Sequence, residues 1–574
     1  MSQLDAEAIR KVTDEVWPLV RNADELYEAL MVSGFIRQEE IVQRNELDPW
    51  QTYFTELIHE NRATLLFHPE RGYPYWTAVE RLPELQQIMP SAIMSPKIPI
   101  PENIQRLAAK VTDPLVEVLR SRIEISGPIS VTALSEMIPV PVSEIERGLL
   151  TLENEGFVFR GHFSASVEEE WCERRLLARI HRYTIDKLRN AIQPVSPSEF
   201  MHFLFKWHQM LPGQEREGPA AMETVLDQLE GYEAPSVAWE GDIFPARMKN
   251  YTYTTLDLLM MTGRYIWGRF KINKPEGYQF SNVPIRTTPI AFIKQGSLKH
   301  YQSTNQVNLL DSLSVHAKNV YQILINYGAQ FFTQIEEKSK LFRSQVEDAL
   351  VELISVGMIT SDSYTGLRTL LIPDRYYTDK RKSGKIAFNL QQAGRWWILA
   401  PLDKQEDTAL RDDYLESIAS LLLKRYGIVF RKIAEKERLL SVWYDLLKIY
   451  RKMEARGTIR GGRFLEGFGG EQYALPEAVA LLRELKKQAL GAVDAFVSVS
   501  GADPLNLTGY ITPGKRVPAL YGNRILYKNG TPVAIKEGKD VTFVSDEDEE
   551  TQWKLKKLLI QRNVQPELRP YVVY

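Results

Sequence analysis

An internal repeat constrains the fold of this chain more than any other feature of its sequence. The segment GPISVTALSEMIPVPVSEIERGLLTLENEGFVFRG, which begins at Gly127, aligns without a gap with GAQFFTQIEEKSKLFRSQVEDALVELISVGMITSD, which begins at Gly328. Chemically similar residues occupy matching positions, such as Thr132 and Thr333, Ile145 and Val346, Leu149 and Leu350, and Gly156 and Gly357. A repeat of this kind indicates that one small folded unit occurs more than once along the chain.

The pattern inside the repeat predicts a winged helix-turn-helix unit. Ile145, Leu149 and Leu152 are spaced i, i+4, i+7 and therefore share one helical face. We expect Ser143 to cap the start of this helix and Gly156 to end it. A shorter helix is predicted before it, and the β-rich run FVFRGHF follows it. Helices followed by such a hairpin are typical of winged-helix domains.

Looser copies of the pattern bring the predicted number of units to four or five. One copy follows Gly427, and its marker glycines, Gly427 and Gly457, are 30 residues apart instead of 29. Residues 255–270 and residues 1–95 contain further candidates, each with a wing-like hairpin. We therefore expect similar small helical units along most of the chain.

The C-terminal part of the sequence has a different character. Its runs alternate apolar and polar residues around Asn529-Gly530, which is a strong hairpin signal. We predict an α+β, mostly α fold with tandem winged-helix domains and a C-terminal antiparallel β-barrel. The predicted domains are residues 1–95 (winged-helix-like), 102–165 (winged helix), 166–310 (helical or winged-helix with a strand segment), 311–375 (winged helix), 385–485 (basic winged helix) and 490–574 (β-barrel and terminal helix).

The composition excludes several classes of protein. The 71 Lys and Arg residues nearly balance the 74 Asp and Glu residues, so the formal net charge of −3 excludes a chain that is basic throughout. Cys172 is the one cysteine in the sequence, which excludes an intrachain disulfide and a cysteine-cluster metal site and favours the reducing cytoplasm. No apolar run approaches the ~18–20 residues of a membrane span, and the N-terminus has no signal-peptide pattern. We therefore expect a cytoplasmic protein with no membrane partner.

Positive charge is concentrated in one of the predicted winged-helix domains. Between Leu423 and Phe464, twelve Lys or Arg residues stand against four acidic residues, a local net charge of +8. The predicted recognition helix (441–456) and wing supply the residues that we expect to contact DNA phosphates, namely Lys448, Arg451, Lys452, Arg460 and Arg463. A solubilising surface or a protein-binding surface would have the same composition, so both alternatives remain open.

Two further stretches contain candidates for DNA contact. In WCERRLLARIHRYTIDKLRN, we select Arg174, Arg175 and Arg182, although a surface helix that bridges two domains would look the same. In the second repeat, Arg343 lies at the N-terminal end of the recognition helix, where base-edge contacts usually arise. The equivalent helix of the first repeat is acidic, so we expect it to contact protein.

No strong catalytic motif is present. The segment from Gly509 to Lys515 has the glycine spacing of a phosphate loop, but position 516 is Arg instead of Ser or Thr, so we expect no ATPase site and no cofactor. The histidines lack metal-ligand spacing, so no metal is expected. Asp503 is the candidate catalytic residue, because a loop carboxylate can stabilise an oxocarbenium-like sugar or activate water. The alternative, which the local sequence favours, is an Asx turn before Pro504.

Several motifs in the same order resemble one protein family. TGRYIWGRF, RYGIVFR, KMEARGTIRGGRFLEGFGGEQYALPEA and SGADPLNLTGYITPGKRVPA look like the C-terminal region of bacterial large helicase-related (Lhr) proteins, and the resemblance runs from about residue 100 to 535. In that family, tandem winged-helix domains and a β-barrel follow the RecA-like motor domains of an ATP-dependent DNA translocase. The resemblance implies oligomerisation, an architecture similar to AlkZ-type winged-helix DNA glycosylases, and a uracil-glycosylase activity attributed to this region. It transfers no catalytic residue, because the Gln-x-Gln or Gln-x-Asp motif of AlkZ-type enzymes has no counterpart here in a matching context.

Three hypotheses about function follow. The first is a DNA-binding and assembly module of an Lhr-type DNA-repair helicase system, without an ATPase motor of its own. The second is a monofunctional DNA (uracil) glycosylase of AlkZ-like architecture. The third is a purely structural oligomerisation platform for a partner helicase. The expected partners are DNA, single- or double-stranded, further copies of this chain and a separate helicase motor subunit.

Overall fold

The chain divides into two compact units, residues 1–191 and residues 192–574. The computed structural model describes residues 4–70, 72–190, 193–270, 284–301, 310–372, 388–399, 408–487, 494–544, 548–562 and 564–572. Within these ranges, no helix combines the length and the apolar character that crossing a membrane requires. The six domain boundaries given above remain predictions.

The N-terminal unit contains two winged-helix units, WH1 (residues 23–78) and WH2 (residues 114–173). WH1 consists of the helices Ala23–Ser33, Gln38–Gln43 and Leu47–His59 and the strands Ile36–Arg37, Ala63–Phe67 and Pro74–Ala78, with an additional edge strand, Ile93–Ser95. WH2 consists of the helices Pro114–Glu124, Val131–Met137 and Val142–Asn154 and the strands Ile129–Ser130, Val158–Gly161 and Glu170–Glu173. The other helices of this unit are Ala6–Val16, Leu82–Ile88, Glu102–Ala108 and Arg174–Asn190.

The C-terminal unit contains three more winged-helix units, WH3 (residues 219–294), WH4 (residues 315–398) and WH5 (residues 408–474). WH3 has the helices Pro219–Gln228, Ser236–Ala238 and Tyr253–Met261, a π-helical turn Trp239–Ile243, and the strands Ala234–Pro235, Tyr265–Gly268 and Pro289–Lys294. WH4 has the helices Val315–Tyr327, Phe332–Ser339 and Arg343–Ser355 and the strands Gln330–Phe331, Ile359–Ser361 and Arg395–Ile398. WH5 has the helices Thr408–Tyr426, Arg431–Lys436 and Trp443–Ala455 and the strands Ile428–Val429, Arg460–Gly462 and Gln472–Ala474. The helices Pro197–Trp207, Leu298–Tyr301, Thr365–Leu371 and Pro476–Lys487 lie outside this pattern.

The five units share one sheet topology. In each unit, the short strand before the second helix pairs with the last strand, which also pairs with the strand that follows the third helix, and all of these pairs are antiparallel. Local sequence favours the helix starts: the hydroxyls of Ser130 and Ser314 accept hydrogen bonds from the backbone N–H groups three residues on, both at 3.2 Å. The prediction of a mostly helical α+β chain with tandem winged-helix domains is confirmed.

The predicted caps of the repeated recognition helix are correct at one end only. Gly156 has φ +71° and follows the last helical turn, as predicted for a residue that ends a helix. Ser143 is not the N-cap, because the helix already begins at Val142 after Pro141. In the second copy, the helix begins at Arg343, because the side chain of Gln345 reaches back to accept a hydrogen bond from the N–H of Phe342 at 2.9 Å.

The prediction of a C-terminal β-barrel is wrong. The strands Phe496–Ser500, Arg524–Lys528, Thr531–Glu537 and Asp540–Phe543 form an open antiparallel sheet that pairs them in sequence order. Closure would need a ladder between the first and last strands, and none exists in the described residues. The helix Glu549–Ile560 instead covers one face of the sheet, where Leu555 and Leu559 pack against Leu526 and Ala534.

One apolar core in the C-terminal unit connects WH5 to its surroundings. Phe200 and Phe203 of the helix Pro197–Trp207, Tyr450 of WH5 and Val499 of the C-terminal sheet all belong to this core. Because the recognition helix of WH5 inserts Leu446 and Tyr450 here, its orientation is fixed by packing. The opposite side of that helix is left for other contacts.

Candidate nucleic-acid interface

The exposed side of the WH5 recognition helix carries a row of cations. Leu446 and Tyr450 are fully buried, whereas Tyr444, Lys448 and Lys452 are exposed. The spacing of four residues places Tyr444, Lys448 and Lys452 on one helical face. Tyr444 is 74% exposed and lies beneath Lys448, whose Nζ is 5.9 Å from the ring centroid. Tyr444 could not be selected from the sequence alone, because its exposure depends on which face of the helix is buried.

Two of the predicted contact residues have acidic partners. Lys448 Nζ is 3.1 Å from Asp445 Oδ1, one helical turn earlier. Arg451 donates to both carboxylate oxygens of Glu471 in the wing loop, at 3.2 and 3.0 Å, and this hydrogen bonding raises the pKa of Arg451. Both pairs are well exposed, with 61% of the Lys448 side chain and 56% of the Arg451 side chain accessible. Exposed pairs contribute only about 0–1 kcal/mol, so a phosphate can replace the carboxylate.

The other three predicted residues are unpaired. Lys452 and Arg463 are exposed and Arg460 is half-buried, and none of the three has an ion-pair partner within the described ranges. The wing that carries Arg463 is held at its base, where Gln472 Oε1 accepts from the N–H groups of Phe464 and Leu465, both at 2.9 Å. We define the WH5 basic face as Lys448, Arg451, Lys452, Arg460 and Arg463. Asp445 and Glu471 pair with it, and a third carboxylate, Glu454, accepts from the N–H of Gly461 in the wing at 3.0 Å. Five cations against three carboxylates leave it positively charged.

The basic helix Arg174–Asn190 lies within the N-terminal unit, where it packs against Ala6–Val16 through a small apolar core. Lys187 pairs with Asp5 at 3.0 Å and with Glu7 at 2.6 Å. The three predicted contact residues remain exposed and lack ion-pair partners among the described residues: Arg174, Arg175 and Arg182. DNA contact by these residues and the alternative of a surface helix that bridges two domains both stay predictions.

Arg343 and the acidic recognition helix of WH2 both form ion pairs with neighbouring residues. Arg343 is exposed at the start of its helix, but its Nε donates to Glu347 at 2.9 Å, one turn further on. In WH2, Arg147 pairs with Asp113 at 2.6 Å and with Glu144 at 3.0 Å. A role for Arg343 in base contact also stays a prediction.

Asp503 lies in a buried ion pair. Arg247 donates to its two oxygens at 2.6 and 2.9 Å, and the exposed fractions of the two side chains are 0% for Arg247 and 1% for Asp503. Asp503 Oδ1 also accepts from the N–H of Leu505 at 2.9 Å, which is the predicted Asx turn. The sequence contained no signal for Arg247, which is 256 positions away. With only 1% of its side chain exposed, this carboxylate is not accessible to a substrate in the structure. A catalytic role for Asp503 stays a prediction.

The partner of Asp503 connects it to a buried histidine. Arg247 Nε donates to His208 Nδ1 at 3.1 Å, and His208 Nε2 lies 2.7 Å from the carbonyl oxygen of Arg425. This geometry fits a neutral ring that carries its proton on Nε2. Burial and the nearby Arg247 hold the pKa of His208 well below its ordinary value. The cluster is therefore built around a fixed, uncharged imidazole.

The aromatic segment before His208 belongs mostly to the core. Phe203 and Phe205 are buried, whereas Trp207 is half-buried and lines an open groove of about 600 Å³ together with Lys206, Arg216 and Gln228. The rings of Phe203 and Phe205 are therefore part of the core and not of the surface. Within the described residues, no three His, Cys, Asp or Glu side chains lie together in a group that could hold a metal ion.

Comparisons with known proteins agree with this architecture. Residues 195–285 and residues 408–493 each match a winged-helix domain of the large helicase-related protein. The chain is 24% identical to the Lhr helicase/probable uracil glycosylase of Mycolicibacterium smegmatis, over 91% of this chain and 34% of that protein. It is 23% identical to the Lhr helicase/uracil glycosylase of Escherichia coli, over 100% of this chain and 38% of that protein. The chain thus spans about a third of the length of these relatives.

A solved structure, the DNA glycosylase AlkZ of Streptomyces sahachiroi, is 11% identical and covers 66% of this chain and 98% of its own, with a TM-score of 0.35. A score this low supports no conclusion about this chain. The two domain matches show that this chain contains two winged-helix domains of the large helicase-related type. The two relatives show that it resembles large helicase-related proteins along nearly its whole length.

Proposed function

We propose that this chain is a DNA-binding and assembly module of an Lhr-type DNA-repair system, and that the WH5 basic face contacts the DNA. The observation that supports the proposal is the set of unpaired cations on the recognition helix and wing, Lys452, Arg460 and Arg463. Winged-helix units place these two elements against DNA. Resemblance to Lhr proteins supports the connection to repair.

Binding would depend mainly on phosphates and hence little on sequence. The exposed cations on the recognition helix are Lys448, Lys452 and Arg451, and the two-point hydrogen bonding of Arg451 is directed at Glu471 instead of at a base edge. Lysine acts toward phosphate as a point charge on a flexible stem. Each phosphate that a cation neutralises releases counterions, so affinity should fall steeply with salt.

The test is fluorescence anisotropy with labelled single- and double-stranded DNA between ~50 and ~200 mM salt. Replacing Lys452 and Arg463 together by Gln should lower the slope of log K against log salt by about 2, because two phosphate contacts are lost. Arg569→Gln, which removes an exposed arginine elsewhere in the same unit, is the matched control and should leave the slope unchanged. Absence of any binding at ~50 mM salt would refute the proposal.

A variant that removes a negative charge provides a second test, with an expected change in affinity of opposite direction. Glu471→Gln frees Arg451 and removes a negative charge from the WH5 basic face. We expect tighter binding and a steeper salt slope, because Arg451 becomes available to phosphate. Weaker binding by this variant would show that the wing does not face DNA.

A second candidate function is that of a monofunctional DNA glycosylase. The printed names of both relatives include uracil glycosylase, and Asp503 is our candidate carboxylate. The assay is incubation with uracil-containing DNA followed by alkaline cleavage of abasic sites. Asp503→Asn is the informative variant, because it preserves the size of the side chain. Unchanged substrate with the wild-type chain, or full activity in a folded Asp503→Asn variant, would eliminate this version.

Assembly with other chains is the remaining part of the proposal. Homo-oligomers and a separate helicase motor subunit are the proposed partners, and light scattering of the chain alone and with a candidate motor subunit measures both. If charge reversal at Arg451, Lys452 and Arg460 left every activity intact while assembly persisted, a purely structural platform would be the better description.

A further inference from the structure

The glycine-rich segment that resembles a phosphate loop forms a compact turn on the surface of the C-terminal unit. The N–H of Gly509 donates to the carbonyl oxygen of Thr512 at 2.9 Å, and Gly509 has φ +74°. A Cβ on Gly509 would lie 2.7 Å from the backbone nitrogen of Arg516, so only glycine lets the two ends of this turn come together. Lys515 and Arg516 are consequently presented at an exposed tip.

This turn is attached to the second helix of WH5, Arg431–Lys436. Arg516 donates to Glu435 in that helix, and its guanidinium lies over the Tyr510 ring at 4.2 Å from the centroid. Lys436 Nζ is 5.6 Å from the same centroid. Lys436 is half-buried between the helix and the turn, and this burial lowers its pKa. The turn and the helix therefore form one continuous surface.

Positive charge dominates this surface. We define the helix–turn surface as Arg431, Lys432, Lys436, Arg438, Lys515 and Arg516. Glu435 is its acidic residue, bound by Lys432 at 2.9 Å and by Arg516, whereas Glu437 is buried in a pair with Arg425. Within the described residues, Arg431, Arg438 and Lys515 are exposed and have no ion-pair partner.

Packing does not explain these three cations. Arg516 holds the turn to the helix through Glu435, and Lys432 pairs with the same carboxylate from within the helix. Among the described residues, none pairs with the charges of Arg431, Arg438 or Lys515. Arg438 has φ +59° because it follows the C-terminal end of the helix Arg431–Lys436, where the chain turns. Its backbone ends the helix, and its side chain is left exposed to solvent.

We propose that the helix–turn surface is a second phosphate-contacting site, which extends the DNA footprint of WH5 beyond its recognition helix and wing. The inference rests on the proposed function, since it assumes that WH5 binds DNA. Nucleic acid is favoured over other anionic partners because, in helix-turn-helix units, the helix before the recognition helix crosses the DNA backbone. The turn from the C-terminal region would place Lys515 beside that same backbone.

The experiment compares salt slopes of DNA binding for the full chain. The double variant Arg438→Gln/Lys515→Gln should lower the slope of log K against log salt by about 2, since each lost phosphate contact in duplex DNA contributes about 0.9. Lys539→Gln is the matched control, because Lys539 also follows a glycine with positive φ at an exposed turn of the same region. The control should retain the wild-type slope. Thermal unfolding of all three proteins verifies that they are folded.

The outcomes separate this inference from the proposed function. If the wild-type chain binds no DNA at ~50 mM salt, the proposed function fails first. If the wild type binds and the double variant keeps the wild-type slope, only the second site is refuted. A double variant with an unchanged DNA slope but weaker binding to phosphatidylglycerol vesicles would overturn the inference in favour of a lipid surface.

Discussion

The buried pair of Arg247 and Asp503 gives the most quantitative prediction. Arg247→Met removes the guanidinium but preserves most of the side-chain volume, and it leaves the Asp503 carboxylate 1% exposed without its two charged hydrogen bonds. The variant also removes the donor to His208 Nδ1. Breaking a buried pair at one end typically costs about 3–5 kcal/mol.

Protonation limits this cost and makes it depend on pH. An isolated buried carboxylate can take up a proton, which for an ordinary aspartic acid costs about 4 kcal/mol at pH 7 and about 1.5 kcal/mol at pH 5. We therefore expect Arg247→Met to destabilise the C-terminal unit by about 4 kcal/mol at pH 7 and clearly less at pH 5. In this variant the folded state binds more protons than the unfolded state, so the loss grows as pH rises.

Hydrogen exchange under increasing urea measures the unfolding free energy of peptides covering residues 496–508, which separates the C-terminal unit from the N-terminal one. Arg247→Met/Asp503→Leu should recover much of the stability, because it leaves no unpaired buried charge. Glu471→Gln breaks an exposed pair and should cost less than about 1 kcal/mol. A loss below about 1 kcal/mol in Arg247→Met at pH 7, or equal losses at both pH values, would refute the reasoning. The unfolding free energy of Asp503→Asn, measured in the same way, tests whether a loss of glycosylase activity in that variant results from unfolding.

Three further predictions concern stability and reactivity. Gly530→Ala should destabilise the C-terminal unit by about 3 kcal/mol in urea unfolding, because a Cβ at this position would lie 1.9 Å from the Ser198 carbonyl oxygen. Gly538 also has a positive φ but is surrounded by open space, so Gly538→Ala should cost about 1 kcal/mol. Equal costs for the two variants would contradict this prediction. Burial raises the pKa of Cys172 to about 12. A thiol reagent at pH 8 should therefore label the native chain roughly 1,000-fold more slowly than the urea-unfolded chain. Rapid labelling of the native chain would show that the N-terminal unit opens. Burial holds the pKa of His208 well below 6.5, so at mildly acidic pH the unfolded chain binds a proton that the folded chain does not. The urea midpoint of the C-terminal unit should therefore decrease when the pH is lowered from 7.5 to 5.5. A midpoint that increases over this range would contradict the neutral ring.

Much of the fold could be predicted from local patterns. The apolar spacing and glycine stops of the repeats indicated winged-helix units, and the same strand order recurs in all five units of the described chain. The Asn529-Gly530 hairpin is present between the strands Arg524–Lys528 and Thr531–Glu537. The barrel was wrong because alternation predicts strands but not whether the first and last of them pair. Here a terminal helix covers the sheet instead.

The candidate site was less predictable, because a charge in the sequence does not reveal its partner. Lys452 and Arg463 are exposed and unpaired in the described structure, whereas Arg451 is shared with Glu471, 20 positions away in the chain. Asp503 was selected as a loop carboxylate, yet folding brings Arg247 to it across 256 positions.

The sequence by itself determined the type of folded unit and its repetition along the chain, the hairpin at Asn529-Gly530 and the part of the chain where positive charge accumulates. These properties depend on neighbours within a few residues, whose side chains share a helix face or a turn. Only the tertiary structure decided which cations remain free, which carboxylate is buried and that the turn at Gly509 joins WH5. Those outcomes depend on desolvation and on pairing between residues far apart in sequence, so they exist only once the chain has packed.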